Sequence, residues 1–165
     1  MDIQNSYRKI IEIMKNILEE IAARTRERIA KEKTCISVSE LENRIQEVNK
    51  NAGKRITLLQ ALQKDGMSYI CEVKKASPSK GLIAPDFPYL AIAKEYEQAG
   101  ASAISCLTES FYFQGADQYL REIAAAVKIP VLRKDFTVDE YMIYQAKSLV
   151  LPQYYLSVLS WMTEN

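Results

Sequence analysis

Three short segments with the character of β-strands recur in the second half of the sequence, about 30 residues apart. They are "MSYICEVK" (67–74), "ASAISCLTE" (101–109) and "IPVLRKDF" (129–136), rich in β-branched, aromatic and other apolar residues. Segments with helical periodicity separate them, and the first of these ends at Gly100, a typical helix stop. This spacing is the length of a βα unit with a right-handed crossover, and apolar strands and helices favour a parallel sheet covered by helices. The predicted fold class is therefore α/β.

The first part of the chain is predicted to be helical. Apolar residues recur near a period of 3.6 through residues 3–31, with charged residues between them. A second helix is predicted to begin at Ser37, which has the spacing of a capping box with Glu40, and "TLLQALQK" (57–64) follows as a third. We therefore predict an N-terminal helical extension over residues 1–66, with translation starting at Met1 or Met14.

Composition excludes several functional classes. The chain has 165 residues, enough for one ordinary domain, and its net charge of +1 does not favour nucleic acid as a partner. It contains no histidine, which leaves Lys, Glu and Asp as the candidates for acid–base chemistry. The three cysteines, at positions 35, 71 and 106, fit neither a disulfide framework nor a zinc site. The N-terminus also lacks the features of signal and transit peptides, and no apolar run approaches the roughly 20 residues of a membrane helix. These observations predict a cytoplasmic protein with reduced thiols and without a metal.

The ends of the predicted strands have the residues suited to chemistry. Glu72 and Lys74 are two apart in a strand, so their side chains face the same side. The loop "SPSKG" (77–81) that follows suits a small anionic ligand, and Lys134 lies where the third strand meets its loop. Each feature alone is also compatible with ordinary solvated charges at a surface. Together they occupy equivalent points of successive βα units, which in a parallel barrel is the edge where reacting groups lie.

The end of the second predicted strand, "LTESFYFQG" (107–115), adds an acid and an aromatic cluster. It supplies Glu109 together with Phe111, Tyr112 and Phe113. These aromatic side chains could form the wall for a flat ring substrate, and the alternative is that they only pack the loop onto the domain.

Four segments resemble the indole-3-glycerol-phosphate synthase family of tryptophan biosynthesis. They are "ILEEIAARTRERIAKEK", "EVKKASPSKG", "LTESFYFQG" and "IPVLRKDF", in the family's order and spacing from about residue 17 to residue 149. The resemblance implies a (β/α)8 barrel preceded by helices. It also implies conversion of 1-(2-carboxyphenylamino)-1-deoxyribulose 5-phosphate to indole-3-glycerol phosphate, with loss of carbon dioxide and water and with no cofactor. Related phosphate-binding barrels, phosphoribosylanthranilate isomerase and the tryptophan synthase α chain, fit the long helical leader and "KKASPSKG" less well.

The resemblance also implies roles for individual residues. Lys134 would be the general acid that protonates the substrate carbonyl, and Lys74 would hold the anthranilate carboxylate and the developing charge. Glu72 would position both lysines or exchange protons with them. Three further residues are implied to bind substrate: Ser77, Phe113 and Phe136. The family's general base and phosphate-binding loops belong to later strands.

The last residues depart from the family pattern. Residues 67–149 are long enough for the first three βα units only, so the barrel is expected to be incomplete. With freely chosen codons, one added base near codon 150 changes the sequence from Leu149 onward to "LGASAVLLICIILDDRK", which resembles the family's fourth strand and the loop that follows it. We therefore expect the tail over 150–165 to be aberrant, the result of a frameshift, and the isolated chain to be inactive. The alternative is a non-catalytic half-barrel that assembles with another copy or with a separate C-terminal half.

Overall fold

The computed structural model of the chain describes residues 3–50, 56–149 and 156–158. Within these residues the helices are α1 (Ile3–Cys35), α2 (Val38–Lys50), α3 (Leu58–Leu62), α4 (Tyr89–Gln98), α5 (Asp117–Ala126) and α6 (Tyr141–Leu149). The strands are β1 (Ile70–Val73), β2 (Ala76–Ser77), β3 (Gly81–Leu82), β4 (Ala103–Leu107), β5 (Val131–Asp135) and β6 (Leu156–Val158). Helices and a parallel sheet alternate along the chain, which confirms the predicted α/β class.

The main sheet has the strand order β1-β4-β5-β6, and all its strand pairs are parallel. Glu72 is in register with Ser105, and Lys134 is in register with Leu107. The sequence predicted three strands followed by an aberrant tail, whereas the structure pairs β6, from within that tail, with β5. The segment around β6 is rich in aromatic and aliphatic residues, which suit pairing with an open strand edge. The rest of the predicted tail lies outside the described residues.

A two-stranded antiparallel hairpin, β2–β3, follows β1 and was not predicted. Ala76 pairs with Leu82 and Ser77 pairs with Gly81. Gly81 has a φ of +63°, a conformation that favours glycine. Ile83 and Ala84 both donate backbone hydrogen bonds to the carbonyl of Lys75. The "SPSKG" loop is therefore an ordered turn at the carboxyl end of β1.

The helices of the N-terminal extension are stabilised by capping hydrogen bonds and by ion pairs between residues four apart. Thr57 and Gln60 form a reciprocal capping box at the start of α3, with hydrogen bonds of 3.1 and 2.9 Å. At the start of α2, the Glu40 amide donates to Ser37 Oγ as predicted, but the carboxylate of Glu40 pairs with Arg44 at 2.5 Å instead of returning to the cap. The predicted capping box of α2 is therefore only half formed.

Two apolar clusters hold the chain together. One lies between the sheet and helices α4 and α5, and it comprises Val73, Ala93, Ile104, Cys106, Leu120, Ile123, Ala124, Val127 and Val131. The other joins the leader helices to α6 through Ile29, Leu41, Tyr141 and Met142. The second cluster fixes α1 and α2 against the βα units.

None of the described helices has both the length and the apolarity of a membrane-spanning segment.

Candidate active site

Glu72 lies between two lysines at the carboxyl edge of the sheet. The Lys74 Nζ atom lies 2.5 Å from Glu72 Oε1, and Lys134 donates a short hydrogen bond to Glu72 Oε2. Lys74 follows Glu72 on the same face of the chain, whereas Lys134 reaches it from β5, across the intervening strand β4. The structure thus brings together the three residues for which the sequence predicted catalytic roles.

The two lysines control the charge of Glu72. Burial of the carboxyl group acts to raise its pKa, but the hydrogen bonds from Lys134 and Lys74 outweigh that effect, so the pKa of Glu72 lies below its usual value. Two ammonium groups and one carboxylate leave one net positive charge in the cluster. The cluster is therefore suited to attract an anionic ligand and to donate hydrogen bonds to its oxygens.

A cavity of about 790 Å³ lies beside the cluster. Its lining combines apolar side chains with a few polar groups: Ile17, Leu18, Ile21, Lys74, Ser77, Pro78, Ser79, Lys80, Ile83, Phe113 and Phe136. Four of the residues with a predicted role, Lys74, Ser77, Phe113 and Phe136, belong to this lining. Apolar walls with few polar groups are typical of sites for small organic ligands, and the two phenyl rings suit an aromatic one.

The β2–β3 hairpin forms the polar side of the cavity. The Ser77 hydroxyl is largely buried and accepts a hydrogen bond from the Lys80 amide at 3.2 Å, which stabilises the turn. Lys80 is an exposed residue on the same turn and lines the cavity as well. Lys80 is therefore a second lysine in the cavity lining, in addition to Lys74. The sequence predicted that its loop suits an anionic ligand but did not single out Lys80 within the loop.

The loop after β4 is built around Glu109, whose side chain is only 3% exposed. Its carboxylate accepts hydrogen bonds from the amides of Phe111, Tyr112 and Phe113, at 2.7–2.9 Å. The Gly115 amide donates to the Glu109 carbonyl, and a Cβ at this position would lie 2.4 Å from the Leu107 carbonyl oxygen. Glu109 therefore shapes the loop that positions Phe113, rather than serving as a reactive group in the cavity.

Helix α1 supplies the part of the site that sequence reasoning missed. Ile17, Leu18 and Ile21 line the cavity, although their periodicity predicted only that the segment is helical. Periodicity identifies an apolar face but not what covers it, so the sequence offered no way to assign them to a site.

In the parts of the chain that the structure describes, no three His, Cys, Asp or Glu side chains converge as a metal site would require.

Comparison with known proteins gives one consistent result. The sequence model of the family described as indole-3-glycerol phosphate synthase matches residues 18–154. The indole-3-glycerol phosphate synthase of Ruminiclostridium cellulolyticum is 51% identical over 131 residues, which cover 79% of this chain and 49% of that protein. The enzymes of that name from Lacticaseibacillus paracasei and Aliarcobacter butzleri are 50% and 45% identical, covering 80% and 79% of this chain. The chain spans about half the length of these curated relatives.

Proposed function

Because the chain belongs to the indole-3-glycerol phosphate synthase family, we propose that its cavity binds 1-(2-carboxyphenylamino)-1-deoxyribulose 5-phosphate and takes part in closing the indole ring. The overall reaction yields indole-3-glycerol phosphate, carbon dioxide and water. The observation that supports this proposal best is the Lys74–Glu72–Lys134 cluster beside a cavity with two phenylalanine side chains. The phenyl walls suit the anthranilate ring, and the net positive cluster suits its carboxylate.

In the proposed mechanism, the ring carbon that bears the carboxylate attacks the substrate carbonyl carbon. Lys134 donates its proton to the carbonyl oxygen as the new carbon–carbon bond forms, and Lys74 holds the carboxylate until it leaves as carbon dioxide. The resulting hydroxyl group then leaves as water, with a proton from an acid and loss of a ring proton. Glu72 is bonded to both lysines and keeps their ammonium groups oriented.

The aromatic contact provides a first test. Phe113→Ala is expected to weaken binding of the carbonyl-reduced substrate about tenfold, because it removes one phenyl wall of the cavity. Titration calorimetry measures the affinity directly, and the reduced compound cannot react. Phe111→Ala is the matched control, since Phe111 is exposed on the same loop and does not line this cavity. Equal losses in both variants, or no binding by the unaltered chain, would contradict the proposal.

A second candidate is a non-catalytic half-barrel that assembles with another copy or with a separate C-terminal half. In the described residues β1 pairs with β4 alone, so its other edge is open. Three large apolar residues just before and at the start of β1 are exposed: Met67, Tyr69 and Ile70. An open, apolar strand edge favours pairing with another chain.

Mixing the chain with a separate C-terminal half tests whether the chain needs a partner for activity. The general base and phosphate-binding loops that the family resemblance implies belong to later strands of the barrel. We therefore expect more indole product from the chain mixed with the second half of the Ruminiclostridium cellulolyticum relative than from the chain alone. Indole fluorescence follows the product, and light scattering reports whether the halves associate. Association without product would favour the half-barrel as a binding module.

The compartment of the proposed activity is the cytoplasm. Cys35, Cys71 and Cys106 are all free thiols. Free thiols are the usual state of cysteines in a reducing compartment, which supports this location.

A further inference from the structure

One stripe of α1 combines the wall of the cavity with a cationic segment. Ile17, Ile21, Arg24 and Arg28 follow each other at spacings of four, three and four residues, so they lie on one face of the helix. The two isoleucines line the cavity. The Arg24 guanidinium stacks on the exposed Phe111 ring at 3.7 Å, and Arg28 reaches the end of β5. The contacts of these arginines therefore help to position the cavity wall, in addition to the apolar cluster that contains Ile29.

Asp135 is the buried residue that binds this stripe. Its side chain is only 1% exposed, and its Oδ2 atom accepts hydrogen bonds from Arg28 Nη2 at 3.2 Å and from Thr108 Oγ1 at 2.8 Å. Arg133 Nη2 also contacts Oδ2, at 3.4 Å. The other oxygen, Oδ1, accepts the amide of Phe136 at 2.8 Å. One carboxylate thus holds α1 and the backbone of a cavity-lining phenylalanine at the same time.

We propose that Asp135 is a positioning residue that, through Arg28, sets the distance between α1 and Phe136 and thereby the width of the cavity for an aromatic ring. The consequence for the ligand rests on the proposed function, whereas the anchoring of α1 does not. Asp135 follows Lys134 directly but faces the other side of β5, so it acts on the ligand only through the walls that it holds.

The burial of Asp135 explains why this contact outweighs the other anchors of the stripe. The Arg24–Phe111 stacking and the Arg24–Glu20 pair involve exposed side chains, and exposed pairs contribute little. Arg28 instead meets a carboxylate that is shielded from water, where loss of the partner is not compensated by solvent. Removal of the Arg28–Asp135 ion pair should therefore release the part of α1 that lines the cavity.

The test compares Arg28→Met with Arg26→Met, which makes the same change at an exposed arginine of the same helix. Hydrogen exchange of the amides of residues 17–24 is expected to become roughly tenfold faster in Arg28→Met and to stay unchanged in Arg26→Met. Arg28→Lys, which keeps a charge but not the forked donor, should fall between them. Exchange in Arg28→Met that matches Arg26→Met would overturn the anchoring.

Ligand selectivity tests the width of the cavity. The probes are N-(2-carboxyphenyl)glycine and its analogue with a naphthalene ring, with affinities measured by calorimetry in the full chain. Arg28→Met is expected to weaken binding of the smaller probe roughly tenfold and binding of the larger probe less, because a displaced α1 leaves more room for the naphthalene ring. Equal weakening of both probes would overturn the assignment of width to Asp135. If the unaltered chain binds neither probe, the proposed function fails, and the exchange rates alone then decide whether α1 is anchored as inferred.

Discussion

Replacing Arg133 by methionine is expected to lower the free energy of unfolding by about 3–5 kcal/mol. The Arg133 side chain is 2% exposed, and it donates hydrogen bonds to Thr108 Oγ1 and to the Met142 carbonyl at 3.1 and 3.2 Å. It also lies 3.4 Å from Asp135 Oδ2 and 3.1 Å from Asp117 Oδ1. Methionine keeps most of the volume but leaves two carboxylates without this neutralising charge. Urea denaturation followed by circular dichroism measures the change.

The contact with Asp117 makes the stability of the fold sensitive to the loss of Arg133. Asp117 Oδ1 is buried and accepts no hydrogen bond within the described part of the chain, although the Arg133 guanidinium lies near enough to form an ion pair. Its charge is therefore compensated by the nearby guanidinium rather than by an aligned donor. Loss of Arg133 would leave this partly buried carboxylate without an ion-pair partner.

Two variants control the Arg133 experiment. Arg121→Met makes the same change at an exposed arginine of α5 and is expected to alter stability by about 0.5 kcal/mol or less. Asp117→Asn added to Arg133→Met should recover part of the loss, because it removes the carboxylate that loses its ion-pair partner, whereas Asp135 keeps its pair with Arg28. A loss in Arg133→Met no larger than in Arg121→Met would show that the buried network does not stabilise the fold.

The sequence was sufficient to predict β1, β4 and β5, and the common facing of Glu72 and Lys74, because alternation along a strand is a local property. The contact of Glu72 with Lys134 needed the register as well. Glu72 is in register with Ser105 and Ser105 with Leu132, so Lys134, two residues beyond Leu132, faces the same side as Glu72. Local alternation does not contain this relation, which the sequence offered only through the family resemblance.

The burial of the neighbouring charges could not be predicted for a different reason. Arg133 and Asp135 alternate with Lys134 and look like polar residues at a strand end. The side chains that bury and pair them come from other elements, such as Arg28 of α1, 107 residues before Asp135. Whether a charge is solvated or buried depends on such distant partners, and local periodicity does not report them.

Lys134→Met is expected to reduce the rate of product formation roughly 10²- to 10⁴-fold in the preparation that forms indole product, because it removes the proposed general acid. Binding of the carbonyl-reduced substrate should change far less than the rate, since the proton is transferred only as the ring closes. Rates are measured by indole fluorescence under saturating substrate, and affinity by calorimetry. Lys147→Met is the control, because Lys147 lies in the last turn of α6 and outside the cavity lining.

Lys134→Arg separates the proton of this residue from its charge. Arginine can keep an ion pair with Glu72, but it does not give up a proton at neutral pH and cannot act as the acid. We therefore expect Lys134→Arg to bind the reduced substrate nearly as well as the unaltered chain and to turn over as slowly as Lys134→Met. Turnover close to that of the unaltered chain would mean that Lys134 contributes only a positive charge, and the acid would then have to be Lys74, the other lysine bonded to Glu72.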